Sequence, residues 1–403
     1  MKAYQPIRVQ TSETVTFRSK IELYSHQREA VDKLRPGNIL VGGVGTGKTY
    51  TSLVYYYEQF RHLKLYVLTT ARKRDDKDWD VSAQNLGIDL VVDSWNNIKK
   101  YKDITNAFFI FDEQKASGTG AWSRTFITIA RSNPWILLSA TPGDVWIDYA
   151  PVLIANGFYR NITEFRNMHV EYDQYVKFPK IKAYHRTALL EKMRRRITVV
   201  MVMERHTVRH RQMVECGYDK EQYNVLLKKR WNIYEDRPIR NGSELLQLMR
   251  RLTATDPTRL WVVNWLMAIH DRIIVFYNFD YELEALRYLC ESHGYNYREY
   301  NGHKHEEVPD SEQWIYLIHY TSGSEAWEAT TTNVMLFYSL NYSYRIMEQC
   351  EGRIDRMNTP FTDLEYFYIT SEAPIDKSIR ESIRKKKKFN ETIWLKRSGV
   401  EFG

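Results

Sequence analysis

The hydrophobic positions of this chain fall into short runs rich in β-branched and aromatic residues, separated by stretches compatible with helix. Runs that alternate with helices in this way are typical of a parallel α/β sheet. In the first part of the chain the runs lie at residues 39–41, 65–69, 90–92, 108–111 and 136–139. In the later part they return at residues 273–276, 315–318, 334–337 and 364–369. The pattern therefore predicts two similar sheets.

This rhythm is interrupted between residues 161 and 258, which are rich in Arg, Tyr and His and include a stretch of helical character at 221–232. We interpret the segment as a basic, helical linker inserted between two lobes. The predicted domains are a first lobe at 1–160, the linker region at 161–258, a second lobe at 259–370 and a basic helical tail at 371–403.

A glycine-rich loop, Gly42-Gly43-Val44-Gly45-Thr46-Gly47-Lys48-Thr49, follows the first predicted strand. Backbone N–H groups of such a loop, a Lys ammonium and a Thr hydroxyl together bind the phosphates and magnesium ion of a nucleotide. The strand before the loop and the predicted helix after it provide the context that this pattern requires. We therefore favour a nucleotide site over a simple glycine-rich turn.

Two carboxylates follow the apolar run at residues 108–111. Asp112 and Glu113 are expected at the carboxyl end of a strand, where ligand sites form in α/β sheets. This position suits Mg²⁺ binding by Asp112 and activation of a water molecule by Glu113. An acidic pair in this position also occurs in turns and helix caps, and the loop at 42–49 favours the functional interpretation.

Three further segments carry groups suited to the same chemistry. Gln27 lies in a predicted helix, and its amide can both donate to and accept from an adenine edge. Ser139 and Thr141 follow another strand, where their hydroxyls either link the nucleotide site to the second lobe or cap a turn. Arg353 lies 305 residues after Lys48 (353 minus 48), and a paired arginine can neutralise charge that develops during γ-phosphoryl transfer.

In chain order, these segments resemble the motifs of superfamily 2 helicases. The matching segments are Gln27, the loop at 42–49, residues 112–115, residues 139–142 and the pattern Gln349-x-x-Gly-Arg-x-x-Arg356. Within that superfamily the chain is most similar to the compact Swi/Snf-type DNA translocases, including those encoded by phages and prophages. Residues 272–276 resemble their motif IV strand, and residues 322–330 resemble a degenerate form of their motif V. The resemblance extends over roughly residues 23–369.

This resemblance implies an α/β fold of two RecA-like lobes, with ATP and Mg²⁺ in the cleft between them and nucleic acid lying across both. Closure on ATP and reopening after hydrolysis would make the protein a motor. The implied catalytic residues are Lys48, Glu113, Arg353 and Arg356. The implied nucleotide and magnesium ligands are Gln27, Gly42, Gly45, Gly47, Lys48, Thr49 and Asp112. The implied coupling residues are Ser139 and Thr141.

The motifs of the chain depart from the family pattern at two places. Lys115 stands where the family usually has His or Asp. In motif V, Ser324, Ala326 and Glu328 stand where remodelling translocases usually have Gly, Gly and Asn. These departures are the reason for keeping open a protein that binds nucleic acid on ATP without productive stepping.

Charge favours a polyanionic partner. Lys and Arg number 58 against 50 for Asp and Glu, which gives a net charge of +8 and a pI near 9.0. Residues 192–211 contain seven Lys or Arg and one acidic residue, a composition that suits either contact with a phosphate backbone or an ordinary basic rim. The predicted nucleic-acid contacts are Arg194, Arg195, Ser322, Ser324 and Trp327.

Cysteine usage and hydropathy indicate the compartment. The three cysteines form no CxxC pair, which fits a reducing cytoplasm, that of the host if the chain is encoded by a phage. No apolar run approaches the ~20 residues needed to cross a bilayer, and residues 1–20 lack the apolar core of a signal peptide. We therefore expect no membrane partner.

The sequence thus predicts an ATP-dependent DNA translocase or helicase that moves on or remodels duplex, branched or single-stranded DNA. Replication, recombination or repair is the expected setting, with other proteins of those processes as partners. One alternative is an ATP-gated clamp on nucleic acid that does not step. Another is an RNA helicase.

Overall fold

The computed structural model of the chain describes residues 23–43, 45–113, 120–173, 180–202, 206–323, 329–356 and 358–395. For residues 388–395 it describes the backbone alone. The described residues before 203 form lobe 1, and those after 205 form lobe 2.

In the described part of lobe 1, six strands form one parallel sheet. In spatial order they are Leu90–Ser94, Lys64–Thr69, Ala107–Asp112, Trp135–Ser139, Ile39–Gly42 and Thr198–Met201. Because the strands are parallel, the glycine-rich loop and the acidic pair both follow carboxyl ends at the same edge of the sheet.

Lobe 2 repeats this architecture, and its described residues also contain a six-stranded parallel sheet. In spatial order its strands are Tyr297–Tyr300, Trp314–His319, Arg272–Tyr277, Val334–Phe337, Asp363–Ser371 and Val208–Cys216. Two parallel sheets flanked by helices confirm the predicted fold class.

The central strands are apolar throughout because helices cover both faces of each sheet. In strand Ala107–Asp112, Phe109 and Phe111 pack in one buried cluster while Phe108 and Ile110 pack in another. In lobe 2, Ile274 and Phe276 face one cluster, and Ile273 and Val275 face the other. Continuous apolar runs, and not alternating ones, are therefore the sequence signal of these strands.

The predicted linker at 161–258 is distributed between the two lobes. Strand Thr198–Met201 completes the lobe 1 sheet beside Ile39–Gly42, and strand Val208–Cys216 forms an edge of the lobe 2 sheet. Leu190 and Ile197 belong to the lobe 1 core. Described residues of this segment thus pack in both lobes, and the linker region with its bounds at 161 and 258 stays a prediction.

The flanking helices of lobe 1 are Ser25–Lys33, Lys48–Phe60, Ala71–Asp75, Asp78–Leu86, Ala121–Ser132, Trp146–Ala155, Ile162–His169 and Thr187–Ile197, with a 3-10 helix at Trp95–Tyr101. Those of lobe 2 are Lys220–Asn224, Gly242–Ala254, Pro257–Ile269, Asp280–His293, Tyr320–Gly323, Tyr344–Glu351 and Pro374–Leu395, with a π-helix at Val225–Lys229. Small antiparallel pairs join Val170–Asp173 to Lys180–Tyr184 and Trp231–Asn232 to Arg237–Pro238.

The basic tail begins as the long helix Pro374–Leu395, which packs on lobe 2 through the buried side chains of Ile375 and Ile379. Across its described parts, the chain contains no helix with the length and hydropathy needed to cross a membrane.

Candidate nucleotide site between the lobes

The glycine-rich loop joins a buried strand to the start of a helix. Strand Ile39–Gly42 precedes it, and helix Lys48–Phe60 begins directly after Gly47. Gly47 has a φ of +79°, and a Cβ there would lie 2.0 Å from Nε2 of Gln27. Both the left-handed backbone and the close approach of Gln27 therefore require glycine. The loop ends at a helix N-terminus, which favours an anion.

Gln27 supports the loop through hydrogen bonds. Its side chain is buried, Nε2 donates to the carbonyl of Thr46 at 3.3 Å, and Oε1 accepts from the backbone N–H of Tyr24 at 3.0 Å. The hydroxyl of Thr46 donates to the carbonyl of Gly43 at 3.0 Å. Gln27 thus helps to fix the loop conformation, and its contact with adenine stays a prediction.

Lys48 directly follows Gly47, and its side chain contacts the backbone of the glycine-rich loop. Its ammonium donates to the carbonyls of Gly42 and Gly43 at 2.7 and 2.9 Å. Burial lowers the pKa of Lys48 to about 8; the charges of Lys73 and Arg356 also lower it, and Glu113 opposes the shift. A buried ammonium whose pKa is lowered in this way is suited to a polyanionic ligand, because the negative charge of the ligand favours the protonated form.

Asp112 is the most constrained carboxylate of the site. It is 2% exposed, and its Oδ2 accepts from Thr69 Oγ1 at 2.8 Å, Lys73 Nζ at 3.0 Å and Trp79 Nε1 at 3.1 Å. Burial opposes ionisation, but Lys73 and the hydrogen bonds outweigh it and hold the pKa of Asp112 below its usual range. Burial likewise acts to lower the pKa of Lys73, yet Asp112 and Glu113 raise it above its ordinary value.

Thr69, Lys73 and Trp79 were not predicted from the sequence. They come from strand Lys64–Thr69 and the helices after it, and that strand pairs with Ala107–Asp112. The signal was the position of Thr69 at the carboxyl end of a predicted strand. The sequence did not indicate which strand would be its neighbour.

Glu113 is the point at which the two lobes meet over this site. It has a left-handed φ of +57°, so the chain turns sharply as it leaves strand Ala107–Asp112. Its Oε2 accepts a hydrogen bond of 3.1 Å from Nε2 of Gln349, which lies on helix Tyr344–Glu351 of lobe 2. Two segments separated by 236 residues are therefore in direct contact.

The two predicted arginine fingers follow the same lobe 2 helix. Arg353 is 8% exposed, and Arg356 is partly buried. The charge of Arg356 acts on Lys48 and the charge of Arg353 acts on Lys73, which are both lobe 1 residues of the site. The structure thus brings Lys48, Asp112, Glu113 and the arginine pair into one interlobe cleft.

The predicted coupling residues lie at the end of strand Trp135–Ser139. Ser139 and Thr141 are buried, and Ser139 Oγ accepts from the backbone N–H of Thr141 at 3.2 Å. The interlobe contact of this segment comes three residues later, where Asp144 Oδ2 accepts from Ser343 Oγ at 3.1 Å. Lys386 Nζ of the C-terminal helix lies 3.9 Å from the same oxygen. Asp144 is therefore a site residue that the sequence reading missed.

The predicted nucleic-acid contacts are scattered. Arg194 is 1% exposed, with its guanidinium 4.8 Å from the ring centroid of Trp146, so its position does not fit contact with a phosphate backbone. The Arg195 side chain is half exposed and pairs with Glu191 at 3.2 Å. Ser322 lies in the short helix Tyr320–Gly323. The predictions for Ser324, Trp327 and Lys115 fall outside the described residues.

These residues fit ATP with Mg²⁺. The loop presents a helix N-terminus and the Lys48 cation, and Thr49 is the second residue of that helix. Among the described residues, all three donors to the Asp112 carboxylate act on Oδ2, which fits a carboxylate that offers its other oxygen to a metal ion. Glu113 follows Asp112 in lobe 1, and its hydrogen bond to Gln349 joins it to the helix that precedes the lobe 2 arginines.

Neither family models nor curated proteins match this chain. Among solved structures, it is similar to one described as the Sulfolobus solfataricus SWI2/SNF2 ATPase core in complex with dsDNA, with 12% sequence identity and a TM-score of 0.42. That similarity covers 94% of this chain and 94% of the other. What this chain does is therefore inferred below from its own residues.

Proposed function

We propose that this protein is an ATP-dependent DNA translocase or helicase. The observation that carries the proposal is the hydrogen bond between Glu113 and Gln349, because it joins the acidic pair of lobe 1 to the arginine-bearing segment of lobe 2. A nucleotide site shared by two lobes changes when the nucleotide is bound, hydrolysed and released. Such a site can convert hydrolysis into relative movement of the lobes.

In this proposal each lobe supplies a different part of the chemistry. Lys48 and the loop N–H groups hold the phosphates, and Thr49 and Asp112 hold the magnesium ion that enters with ATP and neutralises phosphate charge. Glu113 orients the attacking water and accepts its proton as the bond to the γ-phosphorus forms and the bond to ADP breaks. Arg353 and Arg356 stabilise the negative charge of the transition state.

Hydrolysis at the cleft is coupled to lobe movement through interlobe contacts. Gln349 donates a hydrogen bond to Glu113, and Ser343 at the start of the same helix contacts Asp144. Both contacts belong to helix Tyr344–Glu351 and its cap, so both change together when lobe 2 moves. We propose that Ser139 and Thr141 transmit this change through the segment that ends at Asp144.

DNA is the proposed track. The net charge of +8 favours a polyanion, and the second-lobe motifs resemble those of DNA translocases more than those of RNA helicases. Duplex, branched and single-stranded DNA are all candidate substrates, and replication, recombination or repair is the proposed setting. The DNA is moved or remodelled and is not chemically changed.

The test is steady-state ATP hydrolysis by the purified chain alone and with single-stranded DNA, duplex DNA, branched DNA or RNA. We expect DNA to raise turnover, and the DNA form that raises it most to be the natural substrate. Strong preference for RNA would move the protein to the RNA helicases. A second assay, ATP-driven displacement of a third strand from triplex DNA, separates a motor from a clamp because only a moving protein displaces the strand.

A further inference from the structure

Two arginines on the first described strand of lobe 2 form ion pairs with the segment that carries the arginine pair. Arg209 and Arg211 lie two residues apart on strand Val208–Cys216 and share one face of the sheet. The side chain of Arg209 is 13% exposed. The sequence reading counted both arginines in a basic stretch suited to nucleic acid, but their partners lie within lobe 2.

Arg209 contacts three carboxylates at once. Its Nε lies 2.7 Å from Asp355 Oδ2, and its Nη1 lies 2.9 Å from Glu348 Oε1 and 3.0 Å from Glu351 Oε2. Arg211 Nη2 lies 2.6 Å from the same Glu351 oxygen. A planar guanidinium with several fixed donors is suited to this kind of bridging, and a lysine ammonium is not.

Two of the three carboxylates precede the arginine pair in the sequence, and the third lies between the two arginines. Glu348 and Glu351 lie on one face of helix Tyr344–Glu351, and Asp355 lies between Arg353 and Arg356. The Arg209 side chain therefore contacts carboxylates just before and within the turn at 352–356.

Other groups support two of these residues, Asp355 and Glu351. The Thr207 hydroxyl donates to Asp355 Oδ1 at 2.7 Å. The Tyr368 hydroxyl donates to Glu351 Oε1 at 2.6 Å, and the Tyr366 hydroxyl donates to the Glu351 carbonyl at 2.9 Å. Because these carboxylates are buried, loss of a charged partner leaves them poorly solvated and changes the local conformation.

We propose that Arg209 is a positioning residue that fixes the turn carrying Arg353 and Arg356, so that lobe closure brings both guanidiniums to the γ-phosphate. The inference rests on the proposed function. It adds a role for the chain just after it crosses between the lobes, because Thr207 and Arg209 are among the first described residues of lobe 2.

The test compares Arg209→Gln with a matched control, Arg237→Gln. Arg237 also forms a paired ionic contact in lobe 2, with Glu235 and Glu244, on a small hairpin. We expect Arg209→Gln to lower DNA-stimulated kcat about 100-fold, the scale of a displacement of about 1 Å in a catalytic group. ATP affinity should change less than about threefold, because the lobe 1 ligands remain. Arg237→Gln should match the wild type in both.

A second readout separates positioning from general damage. The affinity for ADP with aluminium fluoride, which mimics the transition state, should fall in Arg209→Gln while the affinity for ADP is kept. In a double variant with Arg353→Ala, the Arg209→Gln change should cause little further loss, since both act on one group. Arg209→Lys should restore the thermal midpoint more than it restores kcat.

Failure of this inference is distinguishable from failure of the proposed function. Wild-type turnover that DNA does not stimulate would count against the function. Normal wild-type turnover that is lost in Arg353→Ala but kept in Arg209→Gln would overturn the positioning role alone. If Arg209→Gln does not fold, Thr207→Val removes one hydrogen bond to Asp355 and tests the same role: an unchanged kcat there would overturn it.

Discussion

Gln349→Glu changes one interlobe hydrogen bond with almost no change in side-chain size. Gln349 Nε2 donates to Glu113 Oε2 at 3.1 Å, and the substitution replaces this donor by a second carboxylate. A hydrogen bond to a charged group contributes about 1.5–3 kcal/mol. Two like charges about 4 Å apart repel by about 4 kcal/mol at the effective dielectric of a protein surface.

While the new carboxyl is ionised, the lost hydrogen bond sets the lower limit of the effect, because the lobes can move apart to avoid the repulsion. About 1.5 kcal/mol corresponds to roughly a tenfold loss in an equilibrium or a rate. We therefore expect kcat/KM for DNA-stimulated ATP hydrolysis to fall at least tenfold. The loss should shrink as the pH is lowered from about 8 to about 6, because Glu113 raises the pKa of the new carboxyl and protonation restores a donor.

The assay is steady-state ATP turnover across this pH range, together with the distance between one fluorophore on each lobe. The matched control is Gln313→Glu, which makes the same charge change at an exposed position where Nε2 donates to the Met267 carbonyl at 3.4 Å. An interlobe distance and a turnover equal to the wild type in Gln349→Glu would refute the closed cleft as the working arrangement.

Three further predictions concern lobe 1. ATP affinity should fall as the pH rises above about 8, because burial lowers the pKa of Lys48 to about 8 and the neutral amine must take up a proton before it pairs with phosphate. The Lys48→Arg variant, titrated with ATP by calorimetry at several pH values, should lack this dependence. An equal pH dependence of ATP affinity in both proteins would contradict the assignment. Gly47→Ala should weaken ATP binding more than Gly45→Ala. Both positions have a positive φ that costs about 1–2 kcal/mol for a side chain, but only a Cβ at position 47 meets Gln27, at 2.0 Å. Equal losses in fluorescent-nucleotide binding would show that Gln27 does not constrain the loop. Trp79→Phe should raise the Mg²⁺ concentration needed for half-maximal nucleotide binding about tenfold, because Asp112 loses one of the donors that orient it; an unchanged Mg²⁺ dependence would mean that this hydrogen bond does not support a metal ligand.

The strands that the sequence identified are those with helices on both faces. Phe108 to Phe111 form a continuous apolar run because alternate side chains enter two different cores, and this run coincides with strand Ala107–Asp112. The glycine-rich loop was also predictable, since its glycines, Lys48 and Thr49 are close together in the sequence. Local signals of this kind do not need knowledge of the tertiary fold.

Strand Val208–Cys216 was missed for the opposite reason. It is an edge strand with charged residues, and Arg209 finds its carboxylate partner Glu348 at a separation of 139 residues. Without that partner the sequence shows only a basic stretch. Lys73 and Trp79 were missed because their role depends on which strands are neighbours, which the sequence does not reveal.

The coupling role of Ser139 and Thr141 stays a prediction, and the structure adds Asp144 to the same segment. Ser139 and Thr141 are buried at the strand end, whereas the contact with lobe 2 is made by Asp144. A hydroxyl pair after a strand gives the approximate place of such a contact. The residue that reaches across depends on how the opposite lobe docks.

The central claim is that one nucleotide is bound by lobe 1 and hydrolysed with the help of lobe 2. Steady-state ATP turnover with saturating DNA, measured for the wild type and Arg356→Ala together with ATP affinity, tests it most directly. Arg356→Ala should bind ATP nearly as well as the wild type but lose about 1,000-fold or more in DNA-stimulated turnover, the scale of an arginine finger. Turnover in Arg356→Ala within a few-fold of the wild type would contradict a composite site.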